Sequence, residues 1–367
     1  LDSLGFCNKR ESGRRPCSSP YAVYDAYKNV CTLAYVIEFD DQETEDGMKF
    51  VYGVIFPILS LLVLNTNGIV VLILWAQRSR KSLMEPLFWM AVAAVCMALS
   101  PLPFTIYFYN LDHVNDLQHS EELCHLHKIA MEVLPFFFNT IITFLTLLLG
   151  VQRFIAVQFP LRSFDWCSRR ISRGAMKFAI LIALSLTSFS YATDDRILLH
   201  FCVDVRRFRS GNHRFIKSFH VWVARCFIAR TPLQLWLGVG RLSSVLSLLR
   251  LSLNVVPSLT LVIVTFLLIR TLRDTRVSEL SKHRHTTGKT SQSTSKTTLM
   301  LTVIIVLFLI ARLPSTCLLL LNQLSVSFPV FANSFNFTSN HYLLAASNIT
   351  ILAVHPLTFA VYILMSR

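Results

Sequence analysis

The sequence predicts an all-α membrane protein, a bundle of seven transmembrane helices with the N-terminus outside and the C-terminus inside. Composition is the first reason: of 367 residues 53% are hydrophobic and 15% charged, with a mean hydropathy of +0.52, too apolar for a soluble domain. The second is the spacing of apolar stretches near 50–75, 84–108, 125–156, 174–192, 247–269, 298–322 and 341–365, each near the roughly 20 residues that cross a hydrocarbon core. The third is the alternation of charge between them, because basic residues stay on the cytoplasmic side of short loops.

The N-terminal segment, 1–49, carries Glu38, Asp40, Asp41, Glu43, Glu45 and Asp46 and is assigned to the outside; the membrane domain is 50–367. Arg78, Arg80 and Lys81 follow the first span and face the cytoplasm. The loop after the second span holds Asp112, Asp116, Glu121 and Glu122 and is extracellular, whereas Arg162, Arg169, Arg170 and Arg173 between the third and fourth are cytoplasmic. The third inner loop, 270–297, is basic and rich in Ser and Thr, the composition of a solvated regulatory segment. The net charge of +14 therefore points to anionic lipid and an acidic protein partner, with no nucleic acid implied. No signal-peptide pattern opens the chain, so its start is expected to be incomplete.

Residues 203–246 resist this scheme. They are expected outside, yet hold Arg206, Arg207, Arg209, Arg214, Lys217, Arg225, Arg230 and Arg241. The apolar run 219–240 is not counted as a span, because each central arginine costs about 2.5–3.5 kcal/mol on insertion. A genuine long second outer loop and a gene-model error both fit this stretch.

The nine cysteines have no zinc-ligand spacing, and no metal or other cofactor is expected. Cys124 opens the third span; Cys202 and Cys226 compete as its partner on the oxidising outer face. Cys7, Cys17 and Cys31 can pair among themselves, and Cys96 and Cys317 read as small packing residues within spans. Asn336-Phe337-Thr338 is a glycosylation sequon in an outer loop. No enzyme constellation emerges: Gly288-Lys289-Thr290 lacks the earlier glycine of a phosphate-binding loop.

Polar groups inside the spans carry the functional reading, because each needs a partner or a role in hydrocarbon. Arg153, within Val151-Gln152-Arg153-Phe154 at the inner end of the third span, is placed to meet water or a protein partner. Glu132, Asn139, Arg250, Asn254, Arg312, Asn322, Gln323 and Asn348 are expected to form a ligand pocket in the outer half, between the third, fifth, sixth and seventh helices. Phe136, Phe137, Phe138, Tyr107 and Tyr109 would supply aromatic surface there. Pro257, Pro314 and Pro356 each delete an intrahelical hydrogen bond and mark hinges in the last three helices. Asn67 reads as interhelical glue.

Several of these residues, in order and spacing, resemble rhodopsin-like (class A) G-protein-coupled receptors, in particular the invertebrate sex-peptide and myoinhibitory-peptide receptor group with its myosuppressin and FMRFamide relatives. The likeness runs from Tyr52-Gly53, Pro57 and Asn67 through Met90-Ala91-Val92-Ala93 and Ser100-Pro101-Leu102-Pro103-Phe104. It continues in Cys124, Glu132, Leu134-Pro135, Leu145-Thr146-Leu147, Gln152-Arg153 and Trp166-Cys167, then Pro257, Phe308, Leu313-Pro314, Asn348, Pro356 and Phe359. It covers about 50–202 and 247–367. It implies a plasma-membrane receptor, not an enzyme, for an extracellular, amidated neuropeptide, with Arg153, Gln152 and Phe154 as the switch toward a heterotrimeric G protein, and arrestin and receptor kinases as further partners. It also selects Cys124–Cys202 as the disulfide. The chain departs from the pattern at Ala94, in place of an aspartate, at His355, in place of an asparagine, and at Arg312, where relatives carry tryptophan or an acid. Alanine offers a cation no ligand, so a sodium site is not expected. Arg312 requires a carboxylate, backbone carbonyls or water, and Glu132 is the acid available on the third helix. A signalling-defective receptor is the alternative these departures raise; a transporter would need repeats and paired broken helices that the sequence does not display.

Overall fold

Among the described residues seven long helices follow one another in the order the hydropathy gives. The computed structural model describes residues 17, 22–25, 27–33, 37–38, 46–77, 84–116, 118–206, 218–282, 289–327 and 338–366. The first helix runs Asp46–Phe50, a π turn Val51–Ile55 and Phe56–Gln77; the second comprises Met84–Leu99, Leu102–Thr105 and a π turn Ile106–Asn110. The third comprises Glu121–His127, a π turn Lys128–Val133 and Leu134–Gln158, and the fourth is Arg169–Thr193. Val239–Lys282, Lys289–Ser327 and Thr338–Ser366 complete the bundle, enclosing Pro257, Pro314 and Pro356. Five described helices hold a stretch long and apolar enough to cross a membrane, and the sixth and seventh hold shorter apolar stretches, Thr302–Leu318 and Ala345–Val361.

Packing explains why these sequences choose a bundle. Val63, Ala94, Ala98, Ala183 and Ile304 are fully buried in one core shared by the first four helices, the sixth and the seventh. The small residues of the second helix let its neighbours approach closely, which in lipid replaces the hydrophobic drive as the source of contact energy. Leu72, Trp75, Phe178, Leu181 and Phe266 point outward and are exposed, as lipid-facing side chains must be. Two of the three π turns have a local cause. Pro57 and Pro135 have no amide to give the carbonyl four residues back, and their rings crowd it. One residue earlier, Phe56 and Leu134 bond instead to Val51 and Ile129, five residues back, which opens the backbone ahead of each proline.

The described residues of the stretch 203–246 form neither a bare loop nor a span. Two thirteen-residue strands, β4 (Asp194–Arg206) and β5 (Ser218–Arg230), form an antiparallel hairpin with Asp194 opposite Arg230 and Cys202 opposite Trp222. The short helix Pro232–Leu237, capped by the Thr231 hydroxyl, then leads to a fifth helix that begins at Val239, earlier than hydropathy suggested. The N-terminal segment joins this sheet. Strand β3 (Ile37–Glu38) pairs with β5, while β1 (Ala22–Asp25) and β2 (Val30–Leu33) form a second hairpin. A Cys17–Cys31 disulfide ties that second hairpin. Its turn follows from one side chain: Asp25 accepts the amides of Tyr27 and Lys28 at 3.0 and 3.1 Å, with Asn29 at positive φ. The other carboxylate oxygen of Asp25 lies 2.9 Å from His200 Nδ1, both side chains buried, and Tyr27 stacks on His200 at 4.9 Å.

The expected Cys124–Cys202 disulfide is corrected: Cys124 bonds to Cys226, with Cα atoms 5.6 Å apart. The hairpin's rise explains the choice. Cys226 lies four residues from the membrane end of β5, about 13 Å, whereas Cys202 lies eight residues up β4, about 26 Å. Cys202 is disulfide-bonded elsewhere. Arg225, anomalous within an apolar run, also finds its reason. Its Nη1 donates to the Val114 carbonyl at 3.0 Å and sits 3.1 Å from His119 Nε2, while the His119 amide donates to the Ala224 carbonyl at 2.9 Å.

Candidate functional site: a central cavity under the outer hairpin

A cavity of about 410 Å³ opens in the outer half of the bundle, and all seven helices line it. The first two contribute Tyr52, Phe56, Met97 and Pro101. The third contributes most, from Lys128 through Glu132 and Phe136 to Asn139, Thr140 and Thr143. The fourth adds Thr187, Ser190 and Tyr191, the fifth Asn254, the sixth Ser315 and the seventh Asn348. Tyr52, Lys128, Met131, Glu132 and Val133 belong to the π turns of the first and third helices, so the prolines that open those turns also shape the wall.

Charge is confined to the mouth. Glu132 pairs with buried Arg196 of β4, and His127 Nδ1 lies 3.9 Å from the same carboxylate. Lys128 donates to the Tyr191 carbonyl at 2.9 Å and to the Asp194 carbonyl, its ammonium 4.1 Å over the Tyr191 ring. The hairpin is thereby fixed to the third and fourth helices at the lip of the cavity. Deeper down the lining is neutral: Asn139, Thr140, Thr143, Thr187, Ser190, Asn254, Ser315 and Asn348 offer amides and hydroxyls. Some hydroxyls are spent on their own helix, Thr140 on the Phe136 carbonyl at 2.8 Å and Thr143 on the Asn139 carbonyl at 2.7 Å.

The proposed pairing of Glu132 with Arg312 is corrected, since Arg196 occupies Glu132. Arg312, buried on the sixth helix, donates from Nη2 to the Asn139 carbonyl at 3.1 Å and to Asn139 Oδ1 at 2.9 Å. A guanidinium inside a bundle is thus stabilised by a carbonyl and an amide in place of a carboxylate. Of the eight residues expected to line a pocket, Glu132, Asn139, Asn254 and Asn348 do so, and Arg312 sits behind Asn139. The side chains of Arg250, Asn322 and Gln323, and Asn336 with its sequon, lie outside the described residues. The contribution of the first, second and fourth helices was missed, although Lys128, a charge inside a span, was the legible signal. Of the five aromatic residues expected there, Phe136 reaches the cavity; Phe137 and Phe138 pack on the core, Tyr109 stacks on Tyr52 at 5.6 Å, and Tyr107 on His113 at 4.1 Å.

At the inner end Arg153 and Gln152 are buried on the third helix, and half-buried Phe154 follows them. Gln152 Nε2 donates to Ser172 Oγ of the fourth helix at 3.2 Å, so the residue before Arg153 is committed sideways. Burial pushes the nearby Cys167 thiol up, with Arg153 acting against that shift. Glu85 and Arg173 join the second and fourth helices at 2.8 and 3.1 Å, and Thr271 donates to Gln158 Oε1 at 3.2 Å between fifth and third. One turn above Arg153, a methyl added at Gly150 would lie 3.2 Å from Leu261 Cδ1 and 3.7 Å from Ile305 Cδ1. The third, fifth and sixth helices meet closely there. Ala94 is fully buried among apolar neighbours, and His355, also fully buried, sets its ring edge-on to Phe308 at 5.5 Å. Among the described residues no cluster of His, Cys, Asp or Glu could hold a metal ion.

Comparison with known proteins agrees with this architecture. Residues 215–367 match the family described as serpentine type 7TM GPCR chemoreceptor Srw. The chain is 28% identical over 359 residues to sex peptide receptor-related protein 2 of Caenorhabditis elegans, covering 94% of this chain and 74% of that protein. It is 25% identical over 328 residues to the sex peptide receptor of Drosophila melanogaster, covering 86% and 70%. With its seven-helix bundle, outer disulfides and central cavity, the chain is a multi-pass plasma-membrane protein that resembles the G-protein-coupled receptors of the sex-peptide-receptor group.

Proposed function

We propose that this chain is a receptor for an extracellular, C-terminally amidated peptide and that peptide binding activates a heterotrimeric G protein. The observation that carries the reading is the cavity: polar at depth, charged only at its mouth, and walled by all seven helices of the bundle. A carboxamide is a neutral donor and acceptor, suited to asparagines and hydroxyls that supply no full counter-charge. Glu132 and Lys128 at the lip suit the peptide's backbone and charged side chains. The names of the two relatives support a peptide ligand. Binding shifts a helix equilibrium only through contacts that differ between two packings, and a cavity touching all seven helices offers many. The inner partner would meet Arg153 as the fifth and sixth helices, interrupted by Pro257 and Pro314, move away from the third. Arrestin and receptor kinases would act on the Ser/Thr-rich third inner loop.

The test is nucleotide exchange in membranes from cells expressing the chain, screened with amidated invertebrate peptides. For an active peptide, alanine at Glu132, Asn254 or Asn348 is expected to weaken potency by about tenfold, equivalent to 1.4 kcal/mol, at equal surface expression. Arg153→Ala is expected to abolish exchange while peptide affinity stays within a few-fold. Unchanged potency in all three alanine variants would reject the cavity as the site, and wild-type signalling by Arg153→Ala would reject the switch. Peptide binding without exchange in the wild type would favour the signalling-defective reading that Ala94, Arg312 and His355 motivate.

A further inference from the structure

We infer that Asn139 and Arg312 are a positioning pair through which occupancy of the cavity reaches the sixth helix. Asn139 belongs to two structures at once. It lines the cavity, and its backbone and side-chain oxygens are the acceptors for Arg312 Nη2, at 3.1 and 2.9 Å. Among the described residues no acid lies within ion-pair distance of Arg312, and the third-helix acid, Glu132, is engaged by Arg196. The guanidinium therefore depends on Asn139 for its local stabilisation.

Arg312 is set two residues before Pro314, where the sixth helix lacks a backbone hydrogen bond, and Ser315 of the same segment lines the cavity. A restraint at that point acts on a turn of the helix that lacks one backbone hydrogen bond. The side chain's Nη2 reaches across to the third helix and holds the two together in this packing. Hydrogen bonds to a charged group are stronger than neutral ones, and a buried charge deprived of its acceptor is costly. A ligand group that donates to Asn139 Oδ1 competes directly with Arg312. Releasing Arg312 favours a packing in which the sixth helix turns or bends until the guanidinium finds the ligand's own carbonyl or water. Asn139 and Arg312 thus convert contact in the cavity into a choice between two helix arrangements. This rests on the proposed signalling function only for its output; the movement itself can be read without a G protein.

The experiment uses the full chain in nanodiscs with spin labels at Leu161 and Ser295, Cys96, Cys167 and Cys317 being changed to alanine. Inter-label distances are measured beside basal nucleotide exchange in membranes. Asn139→Leu, which removes the side-chain acceptor and leaves the backbone carbonyl, and Arg312→Met, which removes the donor, are expected to shift the distance distribution outward and raise basal exchange about tenfold, the population ratio equivalent to 1.4 kcal/mol. Asn139→Asp, which turns the acceptor into a carboxylate, is expected to shift both readings the opposite way. Asn139→Gln keeps the amide one methylene further out and should fall between wild type and Asn139→Leu, so the ordering remains testable if the leucine variant fails to fold. Opposite signs for Asp and Leu are not what simple loss of stability would produce. The inference is overturned if Asn139→Asp moves the distances in the same direction as Asn139→Leu or Arg312→Met, or if none of the variants moves them. Distances that move as expected without nucleotide exchange in any variant would support the pair and reject the signalling function; exchange that responds to peptide while the distances ignore every variant would do the reverse.

Discussion

Replacing both Cys124 and Cys226 by serine removes the bond that anchors the outer hairpin to the third helix without leaving a free thiol to exchange. The magnitude follows from the length of chain closed. A sequence separation of 102 residues corresponds to about 4.7 kcal/mol in the chain-entropy account. In a bilayer the third and fourth helices remain inserted when tertiary structure is lost, so the segment set free is closer to the roughly 30 residues from the end of the fourth helix to Cys226, which gives about 3.6 kcal/mol. Either figure lowers the folded fraction by more than about two orders of magnitude. Two measurements check it: peptide mapping under non-reducing conditions, and thermal denaturation in detergent of wild type and the double-serine variant. A Cys124–Cys226 peptide and a large loss of stability are expected. A Cys124–Cys202 peptide, or a variant melting within about 1 kcal/mol of wild type, would refute the reasoning.

His119 in the first outer loop is held down to about 4, chiefly by burial and then by the Arg225 guanidinium. The unfolded chain takes up the proton near pH 6.5, so the stability linked to a neutral His119 is complete above that value and is lost as pH falls toward 4; His119→Gln should flatten this part of a melting-temperature profile, and an unchanged profile would count against it. Gly150→Val places branched atoms where a single methyl already lies 3.2 Å from Leu261 Cδ1, and should cost about 1–3 kcal/mol by overpacking, visible in thermal denaturation; a neutral effect would mean the three helices are not in close contact there. Agonist affinity should be the same in sodium and in a bulky organic cation at equal ionic strength, because Ala94 offers no ligand; a sodium-selective response would show that other residues bind the ion.

The seven helices were legible because a bilayer imposes one length and one polarity on every span, and charge asymmetry orients them. Their outer ends were not. The run 219–240 was correctly excluded as a span by Arg225 and Arg230, yet nothing local announced that those arginines serve a strand paired with β4, since the acceptor of Arg225 is a carbonyl in a different loop. Which of Cys226 and Cys202 reaches Cys124 depends on their height along the hairpin, a quantity that appears once its register is known. The cavity was half legible: Glu132, Asn139, Asn254 and Asn348 were picked out as polar groups in apolar helices. Arg196 was not, because its role exists only once the hairpin lies across the third helix. Arg312 was recognised as needing a partner, and sequence separation could not choose between an acid on the third helix and an asparagine two turns below it.

The π turns carry a consequence for how such chains diverge. Each amounts to one residue added within a helix, and one residue rotates everything beyond it by about 100°. In the third helix that rotation falls between Lys128 and Val133, so Arg153 and Asn139 below it follow one helical phase while His125 and Leu123 above it follow another. Deleting a single residue in the turn would leave the inner machinery untouched and present a different set of side chains at the mouth of the cavity. Single-residue length changes just ahead of Pro57 and Pro135 are therefore a route by which one scaffold acquires new ligand preferences without altering its cytoplasmic face.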